Sequence, residues 1–174
     1  MAKIPFKVSA RTARLIGREN IASSKGAIIE LVKNAYDADS SFCIVYFSSD
    51  SLYIIDAGEG MTQSIIINHW MTIGTNNKEV DYFTKSGRIK AGAKGIGRFA
   101  LDRLGFETEM WTLSKKAKNN SGSYWKMDWK QFDNDDKSIS DINAEITNSQ
   151  IDLKEKIQSV VNNNETLELI KVSH

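Results

Sequence analysis

The sequence predicts an α+β fold: an α/β sandwich with a mostly antiparallel, mixed sheet and helices on one face. Three observations carry this. Apolar residues recur at helical spacing near the N-terminus, and runs rich in β-branched and aromatic residues follow. Those runs succeed one another through hairpins or single helices, which does not call for a doubly wound parallel sheet. The 174 residues suffice for a sizeable core, and 1–174 reads as a single domain.

In chain order, "RTARLIGRENIASSKGAIIELVKNAYDADS" predicts helix, break, helix. Ser23 or Ser24 suits the cap of the second helix, and Ile28, Leu31, Val32 and Ala35 are expected to face the core. "SFCIVYF" (41–47) reads as a strand, with Cys43 an inert buried thiol inside it. "SLYIIDAGEGM" begins as a strand and ends in a glycine-rich turn, and "TQSIIINHWM" suits a short helix capped by Thr62. Residues 74–97 form a long polar, glycine-rich loop. "RFALDRLG" (98–105) is a short helix closed by Gly105. "FETEMWTLSKK" and "GSYWKMDWKQF" flank a turn and predict a hairpin, with Trp70, Trp111, Trp125 and Trp129 in core or hairpin packing. Residues 133–150 read as a polar, irregular connection; "IDLKEKIQSVV" is a helix, "NNN" a turn and "ETLELIKVSH" a last strand. There is no internal repeat or low-complexity tract.

Composition excludes several classes. The net charge is +1, so no overall basic field supports direct binding of nucleic acid, which leaves only a local basic patch open. No apolar run approaches the roughly 20 residues of a membrane span. The N-terminus lacks the apolar core of a secretory signal. A single cysteine allows no internal disulfide, which points to a reduced, cytoplasmic setting.

Three constellations carry chemistry. Glu30, Asn34 and Asp37 lie along one helix face at about 100° per residue. An amide oxygen and a carboxylate one turn apart suit a hydrated magnesium ion, and a carboxylate can take a proton from water; a solvated helix face is the plainer alternative. Asp56 stands where an apolar strand ends, so it is expected to be at least partly buried and to accept hydrogen bonds, for instance from the amino group of a purine. Gly58 and Gly60 after it permit a flat ring to come close, or simply form a turn. Gly92, Gly95 and Gly97 open a helix whose amides suit phosphate, with Lys94 adding positive charge, though a loop of this composition can also be a plain surface connection. The order of glycines and lysine matches neither a P-loop nor a dinucleotide fingerprint. "DNDD" (133–136) suits a metal or a solvated loop, and Arg98 and Arg103 suit either phosphate or pairing with Asp102 or Glu107.

Taken together, Glu-x-x-x-Asn-x-x-Asp, then Asp-x-Gly-x-Gly, then a long loop ending in Gly-x-x-Gly-x-Gly resembles the GHKL superfamily of gyrase B subunits, heat-shock ATPase chaperones, sensor histidine kinases and MutL proteins, over roughly residues 10 to 113. "TIGTNNK" (72–78) resembles the stretch that opens the lid in MutL-like members. The resemblance implies the Bergerat ATP-binding sandwich and, as cofactors, ATP and Mg. It implies Glu30 as the general base, Asn34 as the magnesium ligand and Asp56 as acceptor for the adenine amino group. Gly58, Gly60 and Met61 would lie beside the base. Residues 74–97 would be the ATP lid, with Gly92, Lys94, Gly95, Ile96 and Gly97 at the phosphates and Asp37 orienting neighbours. A Thr that members carry on a late strand is missing, which suggests an N-terminal fragment of a longer protein. Slow, Hsp90-like hydrolysis coupled by lid closure to a homodimer or to downstream domains is the implied activity. A nucleotide-gated switch is the first alternative. A histidine kinase domain is the second, disfavoured because neither His69 nor His174 lies in a phosphoacceptor setting.

Overall fold

Two serines start the helical layer. Ser9 accepts from the Thr12 N–H (3.2 Å) and begins α1 (Ala10–Asn20); Ser23 accepts from the Gly26 N–H (3.1 Å) and begins α2 (Ser24–Asp37). The computed structural model describes residues 4–5, 7–73, 82–92, 97–117 and 121–162. The C-terminal strand expected over "ETLELIKVSH" lies outside them, as do His174 and most of "TIGTNNK".

Strands β1 (Cys43–Phe47) and β2 (Leu52–Asp56) form an antiparallel hairpin in which Cys43 is opposite Asp56. A second sheet has the order β3–β4–β5, from β3 (Glu107–Thr112), β4 (Ser121–Asp128) and β5 (Glu145–Gln150), again antiparallel throughout. Strand β5 corrects the expectation of an irregular 133–150. Its residues are polar and mostly exposed, so it is made a strand by pairing with β4 rather than by its own pattern. Thr62 caps α3 (Gln63–Ile65), which widens into a π-helical turn over Ile66–Trp70. A 3-10 turn, Gly97–Phe99, leads into α4 (Ala100–Leu104); Gly105 follows it in extended, not left-handed, backbone. Helix α5 (Leu153–Asn162) matches its expectation.

The main core packs Ile66, Phe99, Trp125, Met127, Trp129 and Phe132 against α1 through Ala10 and Ala13. Trp129 donates its indole N–H to Thr108 Oγ1 (2.9 Å) and Trp125 donates to Met71 Sδ (3.2 Å), so the polar ends of these rings are satisfied. Trp111 lies instead against Tyr124, with Lys156 Nζ 4.1 Å from its ring centre. A smaller cluster joins Ile21, Ala27 and Ala100, with Leu31 against it.

Helix α2 turns differently from the expected stripe. Ala27 and Ala35 are buried and Leu31 and Ile28 half-buried, but Val32 is 36% exposed and falls on the solvent side. At about 100° per residue, Asn34 lies only about 20° from Ala27. The polar face therefore adjoins the buried stripe instead of opposing it, and Glu30, Asn34 and Asp37 are all half-buried.

A buried ionic network ties α1 to α4. Arg14 Nε donates to both Asp102 oxygens (2.8 and 2.9 Å), Arg18 Nε donates to Asp102 Oδ2 (2.8 Å), and Arg14 also meets Asp133. Asp102 accordingly raises the Arg14 guanidinium further above its usual range, against the opposing effect of burial. Arg103 donates to the carbonyls of Ile21 and Arg18 (3.0 Å each), closing the end of α1 and its exit, so it meets neither of its expected carboxylates.

Candidate functional site

The site begins on the polar flank of α2. A methyl group at Gly97 would stand 3.8 Å from Glu30 Oε2, 3.8 Å from Asn34 Nδ2 and 3.9 Å from Asn34 Oδ1. The start of the Gly97–Phe99 turn thus meets the carboxylate and the amide together. One turn further along α2, Asp37 Oδ1 accepts from the Ala91 N–H (2.7 Å) and Oδ2 from the Gly92 N–H (3.1 Å). All three polar residues of the helix face are turned to the glycine-rich segment. Lys94, Gly95 and Ile96 lie outside the described residues.

Two contacts add to the expected site. The Gly92 amide is engaged by Asp37, so it is an anchor point of the loop in this structure. Lys33, which sequence reasoning passed over, donates to Glu30 Oε1 at 2.8 Å. Its i,i+3 spacing from Glu30 was the available signal.

The described part of the loop ahead of Gly92 has a structure of its own. Residues 82–92 form a small hairpin, with a bridge between Phe83 and Ile89 and Gly87 at φ 85°. It docks on the end of α2. Asp39, in left-handed backbone at φ 58°, accepts from the Ser86 N–H (3.0 Å) and from Ser86 Oγ. The hydroxyl bonds of Ser86, then of Thr84, hold the Asp39 carboxyl down to about 2, with smaller help from the Ser86 amide and the Arg88 charge. Arg88 Nη1 donates to the Ser40 carbonyl (2.8 Å) and its guanidinium lies 5.2 Å from the Tyr36 ring centre.

The turn after β2 docks at the same end of α2. Ala57 donates to the buried Ser40 hydroxyl (2.7 Å), and Glu59 donates its N–H to the Ala38 carbonyl (2.8 Å). Lys85 and Lys115 both pair with Glu59, and Lys85, chiefly through its hydrogen bond, lowers the Glu59 pKa. Asp56 is exposed, contrary to expectation, because it ends β2 and its turn bends away towards α2. Its Oδ1 accepts from the Gly58 N–H at 2.8 Å. The glycines here let neighbouring protein come close. A Cβ at Gly58 would lie 2.7 Å from Ala38 Cβ, and one at Gly60, which has φ 64°, would lie 2.1 Å from the Leu113 carbonyl oxygen. The Met61 N–H donates to Thr112 Oγ1 (2.8 Å), and its side chain packs on the main core.

Other candidates fall elsewhere. Arg98 turns inward, its guanidinium 5.9 Å from the Trp70 ring centre, and burial pushes its pKa down to about 10. Cys43 is half-buried; burial first, and the Asp56 charge second, push its thiol up. In "DNDD", Asp133 meets Arg14 and Asp135 meets Arg11. No group of three His, Cys, Asp or Glu residues is placed to hold a metal among the described residues. A cleft of about 300 Å³ between Trp111 and α5 includes none of the site residues. No helix among the described residues is long and apolar enough to cross a membrane.

Comparison with known proteins bears on the whole arrangement. Residues 22–164 match the model of a family described as histidine kinase-, DNA gyrase B-, and HSP90-like ATPase. A 73-residue stretch, 42% of this chain, is 36% identical to a candidate type II restriction enzyme, HgiDII, of Herpetosiphon aurantiacus, and takes up 12% of that protein's length.

Proposed function

Since the chain belongs to the histidine kinase-, DNA gyrase B- and HSP90-like ATPase family, we propose that it binds Mg-ATP and hydrolyses it slowly. The observation that carries this reading is the meeting of Glu30 Oε2 and the Asn34 amide at Gly97. The base would lie at the Asp56 turn and the phosphates towards Gly97. From Ala38, where that turn docks, back to Glu30 the helix rises about 12 Å. Exposure of Asp56 supports its role, since its Oδ2 takes no bond from a described residue and can accept from an adenine amino group.

Asn34 would hold magnesium through its amide oxygen, the ion supplying charge neutralisation at the phosphates. A single protein ligand fits an ion that keeps water and phosphate in its shell. Glu30 would orient the attacking water and take its proton, and the amides at Gly95 to Gly97, with Lys94, would hold the transferred phosphate. Closure of a lid over residues 74–97 would couple nucleotide state to a homodimer or to downstream domains.

Single-turnover hydrolysis tests the chemistry. Glu30→Ala is expected to slow it by about 10²–10³-fold with Mg-ATP affinity retained. Equal rates would end the catalytic role of Glu30. They would favour the second reading, a switch in which binding matters and turnover is incidental. The Lys33–Glu30 pair supports that alternative, because Oε1 of the carboxylate is already occupied by the ammonium at 2.8 Å. The likeness to a candidate restriction enzyme supports a DNA-acting domain as the recipient of either signal. The charge of +1 gives no support for nucleic-acid contact by this domain itself.

A further inference from the structure

Asp37 makes a contact that neither metal binding nor proton transfer explains. Its two oxygens take the N–H groups of two consecutive residues, Ala91 and Gly92. Five residues on from Gly92, Gly97 lies beside Asn34 and Glu30. The segment is thus held to α2 at Asp37, and Gly97 stands beside the same helix face one to two turns towards the N-terminus. The hairpin that feeds this segment is itself held by Asp39, through Ser86, and by Arg88 on the carbonyl of Ser40. Each of these bonds has a charged partner, and such bonds are about twice as strong as neutral ones.

We propose that Asp37 is a positioning residue for the phosphate end of the site. By fixing Ala91 and Gly92 it sets the approach of Gly97 to Glu30 and Asn34, without touching the nucleotide. This rests on the reading of the site given above. Asp37 therefore acts on the phosphates only, because the base end is organised separately through Ser40, Ala38 and the turn after β2.

The test compares wild type, Asp37→Ala and the isosteric Asp37→Asn. Amide hydrogen exchange is read at Ala91 and Gly92 without nucleotide, and affinities are measured for Mg-ATP and for AMP. Asp37→Ala is expected to speed exchange at both amides and to weaken Mg-ATP binding, each by about tenfold, while AMP affinity stays the same. Asp37→Asn, which keeps one acceptor oxygen, falls between. Equal loss for ATP and AMP would reduce Asp37 to a general structural role and overturn the proposal. So would unchanged exchange, or unchanged ATP affinity beside faster exchange. If wild type binds neither nucleotide, the reading of the site itself fails and the positioning role falls with it. That outcome is distinct, because only the wild-type arm produces it.

Discussion

At the α1–α4 junction Asp102 is 5% exposed and its partners are the guanidiniums of Arg14 and Arg18, 88 and 84 residues away in sequence. At the C-terminal end of α2, the carboxylates of Asp37 and Asp39 hold backbone amides and a hydroxyl of a short hairpin. Both places spend acidic side chains on helix ends, but with different consequences. The first joins rigid elements inside the molecule, so losing a partner strands a buried charge. The second fastens a loop from outside, so losing a partner frees the loop and lets water replace it. Stability is concentrated in one place and the geometry of the site in the other.

The largest effect that tests this contrast is at Asp102. Asp102→Ala leaves Arg14, whose side chain is 8% exposed, without its main partner, and is expected to cost about 3–5 kcal/mol in urea unfolding. Asp37→Ala is expected to cost about 1–2 kcal/mol, since its amides can turn to water. A similar cost for the two would erase the distinction.

Gly60 stands at the joint between the turn after β2 and the end of β3. Gly60→Ala puts a Cβ 2.1 Å from the Leu113 carbonyl oxygen and forces a side chain into φ 64°. The expected loss is about 1–3 kcal/mol, read as a fall in Tm. A neutral result would mean that the turn can move away from β3 at little cost, and the site end would then be looser than the contrast supposes.

The sequence foretold what depends on local spacing and missed what depends on distant partners. The cap at Thr62, a serine cap on α2, strands β1 and β2 and the β3–β4 hairpin follow from neighbours along the chain. So does the shared face of Glu30, Asn34 and Asp37, because helical spacing alone places them together. Strand β5 was missed because "EITNSQ" has no apolar alternation and owes its form to β4. Asp39 was passed over for a related reason: its partner Ser86 lies 47 residues on, inside what read as one undivided loop. Asp56 was expected to be covered because it follows an apolar run, yet burial at a strand end depends on what packs over it.

Acid sharpens the comparison on the site side. The Asp39 carboxyl is held down from 3.8 to about 2 by Ser86 and Thr84. A carboxyl depressed in the folded state adds stability that is complete above its unfolded value, here 3.8, and is lost as pH falls towards 2. Unfolding followed across that window is expected to show a shallower pH dependence in Asp39→Asn than in wild type. An identical slope in both proteins would mean that the hairpin is not fastened through this charge.

The smallest effect belongs to a pair that looks the same on paper. Arg11 Nη1 lies 3.0 Å from Asp135 Oδ1, much like Arg14 beside Asp102, but the two side chains are 62% and 70% exposed. Water solvates both charges before and after the pair forms, and salt screens them over about 8–10 Å. Holding two long side chains together also costs rotamer entropy. Arg11→Ala is therefore expected to change stability by less than about 0.5 kcal/mol, and less again at high salt. Thermal melts at low and high salt check this. A loss comparable to that of Asp102→Ala would show that bond length, rather than burial, sets the worth of an ion pair here, and the contrast between the two ends of the helical layer would lose its physical basis.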